Sequence, residues 1–179
     1  LDADGGDIRF KDGGTHIGSI YNDSTNLAIY SKVNNADMKF IGVDGGSDVT
    51  ALTLDMSEAG AAAFNNSVKA KTYQETYAAK SAASTVTCDL ATAQHFSVTV
   101  SANTTFAFTN PASSGTSYSF TLIVTQHSTA VTLTWPSTVD WAGGAAPAVA
   151  GNNEVQAYGF VTRDGGTTYY GFLGGTAIA

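Results

Sequence analysis

The chain has 179 residues, of which 43% are hydrophobic, so it is long enough to bury a core in one or two domains. Only 13% of the residues are charged and the net charge is −7, which repels phosphate and excludes the basic surface that nucleic-acid binding needs. Cys88 is the only cysteine, which excludes an intrachain disulfide, and no apolar run approaches the roughly 18 residues of a membrane span.

The first residues carry the one spacing in the sequence that suggests a metal loop. Asp2, Asp4 and Asp7 are spaced like part of a calcium site, but an EF-hand loop needs a bidentate Glu at its twelfth position, and residue 12 is Asp. We therefore favour turns over a metal site and predict no metal and no cofactor. Because the sequence starts at Leu1 in mid-pattern, we also expect either a processed N-terminus or a longer polypeptide.

Asp-Gly-Gly occurs four times, beginning at residues 4, 12, 44 and 164. Asp and Gly tolerate the positive φ that hairpin turns require, and alternating apolar residues flank these triplets. We predict a turn at each triplet, with positive φ at most of the glycines: Gly13, Gly14, Gly45, Gly46, Gly165 and Gly166.

The N-terminal third contains an internal repeat. Residues 7–20 align with residues 37–52 as Asp-apolar-basic-Phe, then Asp-Gly-Gly, then alternating apolar residues, at a spacing of about thirty residues. Each unit predicts strand, turn and strand. A unit this thin cannot enclose a core by itself, so residues 1–68 are interpreted as a β-repeat or meander shaft that stacks on copies of itself or on other chains.

Residues 69–84 differ in composition from the segments on either side. Ala, Lys, Gln and Glu favour a helix, and Tyr73 and Tyr77 stand at i and i+4. A short helix and an extended connector are both compatible with this stretch, which we take as the connector between two domains.

Residues 85–179 alternate between apolar residues and Ser or Thr in short runs separated by polar turns. This spacing is typical of an antiparallel β-sandwich or barrel, and we predict a sandwich as the C-terminal head. The outward Ser and Thr residues leave sheet edges without protective charges, which favours edges covered by a neighbouring subunit.

Two segments of the head, "TWPSTVDWAGGAAP" (134–147) and "DGGTTYYGFLGG" (164–175), resemble a module near the C-terminus of bacteriophage tail-fibre and related virion appendage proteins. The N-terminal "GGDIRFKDGG" and "TALTLDMSEAGAAAFNNSV" are similar to shaft repeats of marine phage fibres. Together these segments span most of the chain outside the connector. The resemblance implies a virion fibre protein, usually a homotrimer, whose distal end contacts the host surface, and it brings no catalytic motif.

Aromatic residues are the main candidates for recognition, because exposed rings bind sugars and proteins through large amphipathic contacts. Trp135 follows the strand alternation and is predicted to lie in the core. Trp141 stands in a Gly/Ala-rich segment and is predicted to be a surface anchor. The receptor-binding candidates are Trp141, Asp140, Tyr169 and Tyr170.

Signs of catalysis are sparse. His16, His95 and His127 are scattered without metal-ligand spacing, and neither a phosphate-binding glycine loop nor a Gly-x-Ser-x-Gly elbow occurs. A glycan-degrading tailspike would need two acids flanking a sugar. The acids we consider for this role are Asp140, Glu154 and Asp164, and Asp164 belongs to a turn, so we predict no enzymatic activity.

The sequence as a whole predicts an all-β, intertwined homotrimer with a shaft and a sandwich head. Its expected function is structural and adhesive, as a phage tail fibre or related appendage in the virion. The expected partners are other copies of the chain, other virion proteins and a host surface glycan or protein. Alternatives are a capsid-decorating, neck or baseplate protein, a glycan-degrading tailspike and a cellular extracellular adhesin.

Overall fold

The computed structural model describes residues 7–129 and 131–178, and every regular element among them is a β-strand. The all-β prediction is therefore confirmed. Within the same residues, no helix of the length and apolarity needed to cross a membrane occurs. The chain divides between Lys71 and Thr72 into two compact units, named the N-terminal unit and the C-terminal unit below. Asp2 and Asp4 lie outside the described residues.

The N-terminal unit consists of two antiparallel three-stranded sheets, each connected strand to neighbouring strand. The first sheet contains β1 (Asp7–Asp12), β2 (Thr15–Asp23) and β3 (Asn26–Ser31). The second sheet contains β4 (Met38–Asp44), β5 (Ser47–Asp55) and β6 (Ala61–Phe64).

The two sheets repeat one another in detail. The register of the first hairpin shifts between Phe10 and Lys11, and that of the second shifts between Phe40 and Ile41, at the aligned positions of the repeat. Two-residue turns close both hairpins, and their glycines have φ between 54° and 87°. Only residues without a Cβ adopt this conformation easily, so Gly is required there. The glycines concerned are Gly13, Gly14, Gly45 and Gly46.

Neither N-terminal sheet buries apolar side chains. Ile8, Ile20 and Ile29 pair across the first sheet and share one face, as do Phe40, Leu52 and Phe64 in the second. These two surfaces are the apolar faces of the unit. Phe40 is 51% exposed, and every buried hydrophobic residue in the described part of the chain lies at Val86 or beyond.

The C-terminal unit consists of nine strands in two sheets. A six-stranded sheet has the order β13-β15-β14-β11-β9-β7, and a three-stranded sheet has the order β12-β10-β8. The strands are β7 (Tyr77–Lys80), β8 (Thr85–Asp89), β9 (His95–Thr99), β10 (Thr104–Thr109), β11 (Tyr118–Thr125), β12 (Leu133–Thr134), β13 (Val139–Trp141), β14 (Val155–Thr162) and β15 (Tyr169–Ile178).

The prediction of a purely antiparallel sandwich is wrong for this unit. From β7 to β13 the chain alternates between the two sheets. Strands that are two apart in sequence therefore lie in the same sheet and run in the same direction. Accordingly β7, β9 and β11 are mutually parallel, and so are β8, β10 and β12. Antiparallel pairing is confined to β11, β14 and β15, the last two joined by the turn at Gly165 and Gly166.

Side chains from both C-terminal sheets form one hydrophobic core. Phe120 on β11 stacks on Phe160 of β14 with ring centroids 4.9 Å apart, and Phe108 of β10 meets both rings edge-on. Such aromatic pairs stabilise a core beyond their buried area. The core therefore holds the six-stranded sheet rigidly from one side and leaves its other side facing outward.

The predicted connector contains no helix. Residues 77–80 form β7, which pairs in parallel with β9, because the alternation of Tyr77 and Ala79 with Ala78 and Lys80 suits a sheet edge. Tertiary pairing outweighs the helix preference of Ala and Lys here. The helical alternative for this stretch is thus wrong.

Candidate functional site

Trp141 is a core residue, so its prediction as a free surface anchor is wrong. It is 8% exposed, its ring lies 5.1 Å from that of Trp135, and it also packs on Tyr158. β13 pairs in parallel with β15 as far as Trp141, so the Gly/Ala-rich segment begins only at the next residue. The close approach also requires Gly171, since a Cβ there would come within 2.8 Å of the Trp141 ring.

Tyr169 is also buried, which corrects its assignment as a receptor-binding residue. Its side chain points inward from β15 and meets Phe108 edge-on at 5.2 Å. Burial, with a further contribution from the nearby Asp164 carboxylate, raises the pKa of its hydroxyl. Trp135, by contrast, packs against the core as predicted and stacks on Phe106 at 4.7 Å.

Asp140 and Tyr170 keep the outward position that recognition requires. They are partners in the parallel register of β13 and β15, and each is followed or preceded by an inward aromatic residue. Of the four predicted candidates, these two therefore lie side by side on the outer face of the six-stranded sheet.

A recess opens on that same outer face, two residues beyond Tyr170 along β15. A row of paired residues crosses five strands here: Tyr77, His95, Thr121, Gly159 and Phe172. The cavity measures about 190 Å³. It is named the Gly159 recess, and its lining residues are Glu75, His95, Ser119, Phe120, Thr121, Gly159, Phe160, Val161 and Phe172.

Gly159 creates the depth of the recess. It lies in the middle of β14, between Thr121 on one neighbouring strand and Phe172 on the other. A Cβ built on Gly159 would meet no atom within 4 Å, and its φ is not in the positive region. The glycine therefore serves neither a turn nor close packing, and its effect is to leave open space between two side chains.

A chain of hydrogen bonds fixes one wall of the recess. His95 Nε2 contacts a carboxylate oxygen of Glu75 closely, and His95 Nδ1 lies 2.6 Å from Thr121 Oγ1. Because a carboxylate only accepts, Nε2 donates to Glu75, and in the neutral imidazole Nδ1 accepts from the Thr121 hydroxyl. Both ring nitrogens are thus engaged, which holds the half-exposed ring in one orientation.

Sequence reasoning missed this wall because its members are distant in the chain. Glu75 and Thr121 are 20 and 26 residues from His95, and the parallel pairing of β7, β9 and β11 brings them together. The available signal was Gly159 itself. An isolated Gly inside an alternating strand often marks a place where a ligand or backbone approaches.

The acids of the C-terminal unit are dispersed. Asp164 accepts hydrogen bonds from Thr162 and from the backbone of Thr168, and the latter bond is the main cause that lowers its pKa. Glu154 accepts from the Gly151 amide at 2.8 Å. Glu75 is the one carboxylate among the lining residues, whereas two-carboxylate glycoside hydrolysis needs a facing pair.

Asp7 is the one residue of the suggested calcium spacing that the structure describes. Asp7 forms an ion pair with Arg9 at 3.0 Å on the surface. In the described parts of the chain, no group of three or more His, Cys, Asp or Glu side chains is arranged to hold a metal ion.

Comparison with known proteins found no match to any family model, curated protein or solved structure.

Proposed function

We propose that the chain is a structural and adhesive component of a bacteriophage virion, a homotrimeric tail fibre or related appendage that attaches the particle to its host. The observation that carries the proposal is the pair of apolar faces on the N-terminal unit. Monomeric soluble proteins rarely leave large contiguous apolar patches exposed, and such patches mark interaction sites. Phe10 and Leu27 add to the face of the first sheet, and Leu27 is 79% exposed.

Copies of the same chain are the best occupants of these faces. The repeat places an apolar face on both sheets, while Arg9 and Lys39 lie on the opposite faces. Packing apolar faces together in a symmetric oligomer buries the Phe, Ile and Leu side chains and leaves the charges in water. This is the arrangement that a thin repeat needs in order to complete a core.

The adhesive part of the proposal rests on the C-terminal unit. This unit has a core of its own, so its outer sheet face is a rigid platform that does not have to be covered for stability. A fibre that presents three such platforms, several fibres to a virion, would bind a surface by avidity even when each contact is weak. A capsid-decorating, neck or baseplate protein would use the same self-association without the adhesive face.

Phe40→Asp tests the self-association. It places a carboxylate in an apolar face, and we expect the trimer seen by light scattering of the full chain to dissociate. The β-sheet signal of the C-terminal unit in far-UV circular dichroism should be retained. Lys39→Asp is the matched control, since it adds the same group one residue away on the opposite face and should leave the trimer intact.

A wild-type chain that stays monomeric at micromolar concentration would overturn the oligomeric proposal. Dissociation by both variants would contradict the assignment of the interface to the apolar face. Immunogold labelling of virions that carry the chain tests the location, and label confined to the capsid shell would favour decoration over a fibre.

A further inference from the structure

We propose that the Gly159 recess binds a single neutral sugar ring at the end or in the branch of a glycan. The biological role of this binding depends on the adhesive function proposed above. The site itself is defined by the residues of the C-terminal unit alone, so it can be tested independently of oligomeric state.

The size of the recess selects a small ligand. Its volume of about 190 Å³ is below the roughly 300–1,000 Å³ of pockets that enclose drug-sized molecules. The recess is open on the outer face of the sheet, so a longer chain attached to the bound ring can continue into solvent.

One wall of the recess is apolar and the other is polar, which matches the apolar face and the hydroxyl rim of a sugar ring. Phe172 is 46% exposed and presents an apolar ring across the gap left by Gly159. His95, Thr121 and Glu75 form the polar wall opposite it. A pyranose has an apolar face of C–H groups and a rim of hydroxyls, and an aromatic ring beside donors and acceptors fits both.

The polar side of the recess can both accept hydrogen bonds from sugar hydroxyl groups and donate hydrogen bonds to them. The Glu75 carboxylate has a second oxygen and further lone pairs that accept, and the Ser119 hydroxyl can both accept and donate. The Thr121 hydroxyl, which donates to His95, can still accept. The contacts of His95 with Glu75 and Thr121 already hold these groups in place. A preorganised wall loses little side-chain entropy when a ligand binds, which favours affinity in a small site.

Charge decides between neutral and acidic sugars. The charged side chain lining the recess is Glu75, neither Lys nor Arg is among the lining residues, and the whole chain has a net charge of −7. A uronic or sialic acid would place its carboxylate near that of Glu75 without a Lys or Arg side chain among the lining residues to balance it. Neutral hexoses and N-acetylhexosamines carry no such penalty.

Saturation-transfer NMR of the full wild-type chain with a panel of methyl glycosides tests the proposal. The panel contains neutral hexosides, N-acetylhexosaminides, a glucuronide and a sialoside. We expect transfer to the C–H protons of at least one neutral glycoside, with affinity on the order of millimolar for one small ligand. No transfer to any neutral glycoside would overturn the proposal, and so would transfer to the acidic glycosides alone.

Gly159→Val locates the binding. The side chain fills the recess without steric conflict or positive φ, so the fold should persist while the transfer signal falls at least tenfold. Gly42→Val is the matched control, because Gly42 is another strand glycine whose added Cβ meets no atom within 4 Å. Undiminished transfer to a folded Gly159→Val chain would refute the site.

Thr121→Val tests the polar wall without changing its shape. Loss of the hydroxyl should weaken glycoside binding about tenfold, whereas Thr87→Val, the same change at an exposed position of β8, should have no effect. Equal binding by both variants would contradict the role of Thr121. A monomer that binds glycosides through the recess would support this inference and contradict the proposed trimer. A trimer that binds no glycoside would support the oligomeric proposal and overturn this inference.

Discussion

The N-terminal and C-terminal units are both made of short alternating strands, yet only the second buries its apolar side chains within a single chain. The connections explain the difference. In the N-terminal unit, tight turns join each strand to its neighbour in the same sheet, so each sheet remains one layer. In the C-terminal unit the chain crosses between two sheets, so two apolar surfaces face each other and exclude water.

Composition does not separate the two units, because Phe, Ile and Leu occur in both. What separates them is whether a second layer from the same chain is available to cover the apolar face. The C-terminal unit is therefore expected to hold its structure alone, and the N-terminal unit to depend on copies. The following predictions test this comparison, from the largest expected effect to the smallest.

Trp141→Ala should cause the largest loss. Truncating this buried ring removes its packing on Trp135 and Tyr158 and leaves a cavity beside Gly171. We expect the free energy of unfolding of the C-terminal unit to fall by about 3–5 kcal/mol, measured by urea denaturation. Leu27→Ala, an exposed position in the N-terminal unit, is the control and should leave the unfolding of the C-terminal unit unchanged. A silent Trp141→Ala would mean that the ring is free in solution.

The error over Trp141 shows where sequence reasoning reached its limit. Alternation and Asp-Gly-Gly turns identified the strands, because these signals act over a few residues. Trp141 was assigned to the Gly/Ala-rich segment, because the strand that pairs with β13 as far as Trp141, β15, lies almost thirty residues later in the chain. Successive side chains of a strand point to opposite faces, so this pairing turns Trp141 inward and leaves Asp140 outward.

The same limit explains the missed recess. The alternation of apolar residues with Ser and Thr that follows His95 indicates a strand, and His95–Thr99 form β9. Which strands lie beside it depends on the crossing of the chain between sheets, and no local signal encodes the crossing. Antiparallel neighbours joined by hairpins would have separated Glu75, His95 and Thr121.

High pH should destabilise the C-terminal unit. Burial raises the pKa of Tyr158 from 10.0, and that of Cys88 from 9.0, to about 12 in each case. The folded state thus binds these protons more tightly than the unfolded chain. The resulting stability is complete below about pH 9 and is lost as the pH rises towards about 12.

Thermal unfolding at about pH 8 and about pH 11 measures this loss. Tyr158→Phe should reduce the difference between the two melting temperatures, although it lowers both by removing the hydrogen bond from the hydroxyl to Gln156 at 2.7 Å. Identical alkaline slopes for wild type and Tyr158→Phe would assign the effect to Cys88, or to Tyr118 and Tyr169, whose pKa values burial also raises.

Gly159→Val should have the smallest effect on stability and the opposite sign. Valine restricts the unfolded chain more than glycine does and suits a strand, so the C-terminal unit should gain roughly 0.5–1 kcal/mol. Gly42→Val should give a similar gain in the N-terminal unit, since a Cβ added at either glycine meets no atom within 4 Å. If only Gly159→Val also abolishes glycoside binding, then the glycine is retained at a site where stability is sacrificed for an open recess. If Gly159→Val instead lowers the free energy of unfolding, the valine side chain clashes with neighbouring atoms, which contradicts the open space around Gly159.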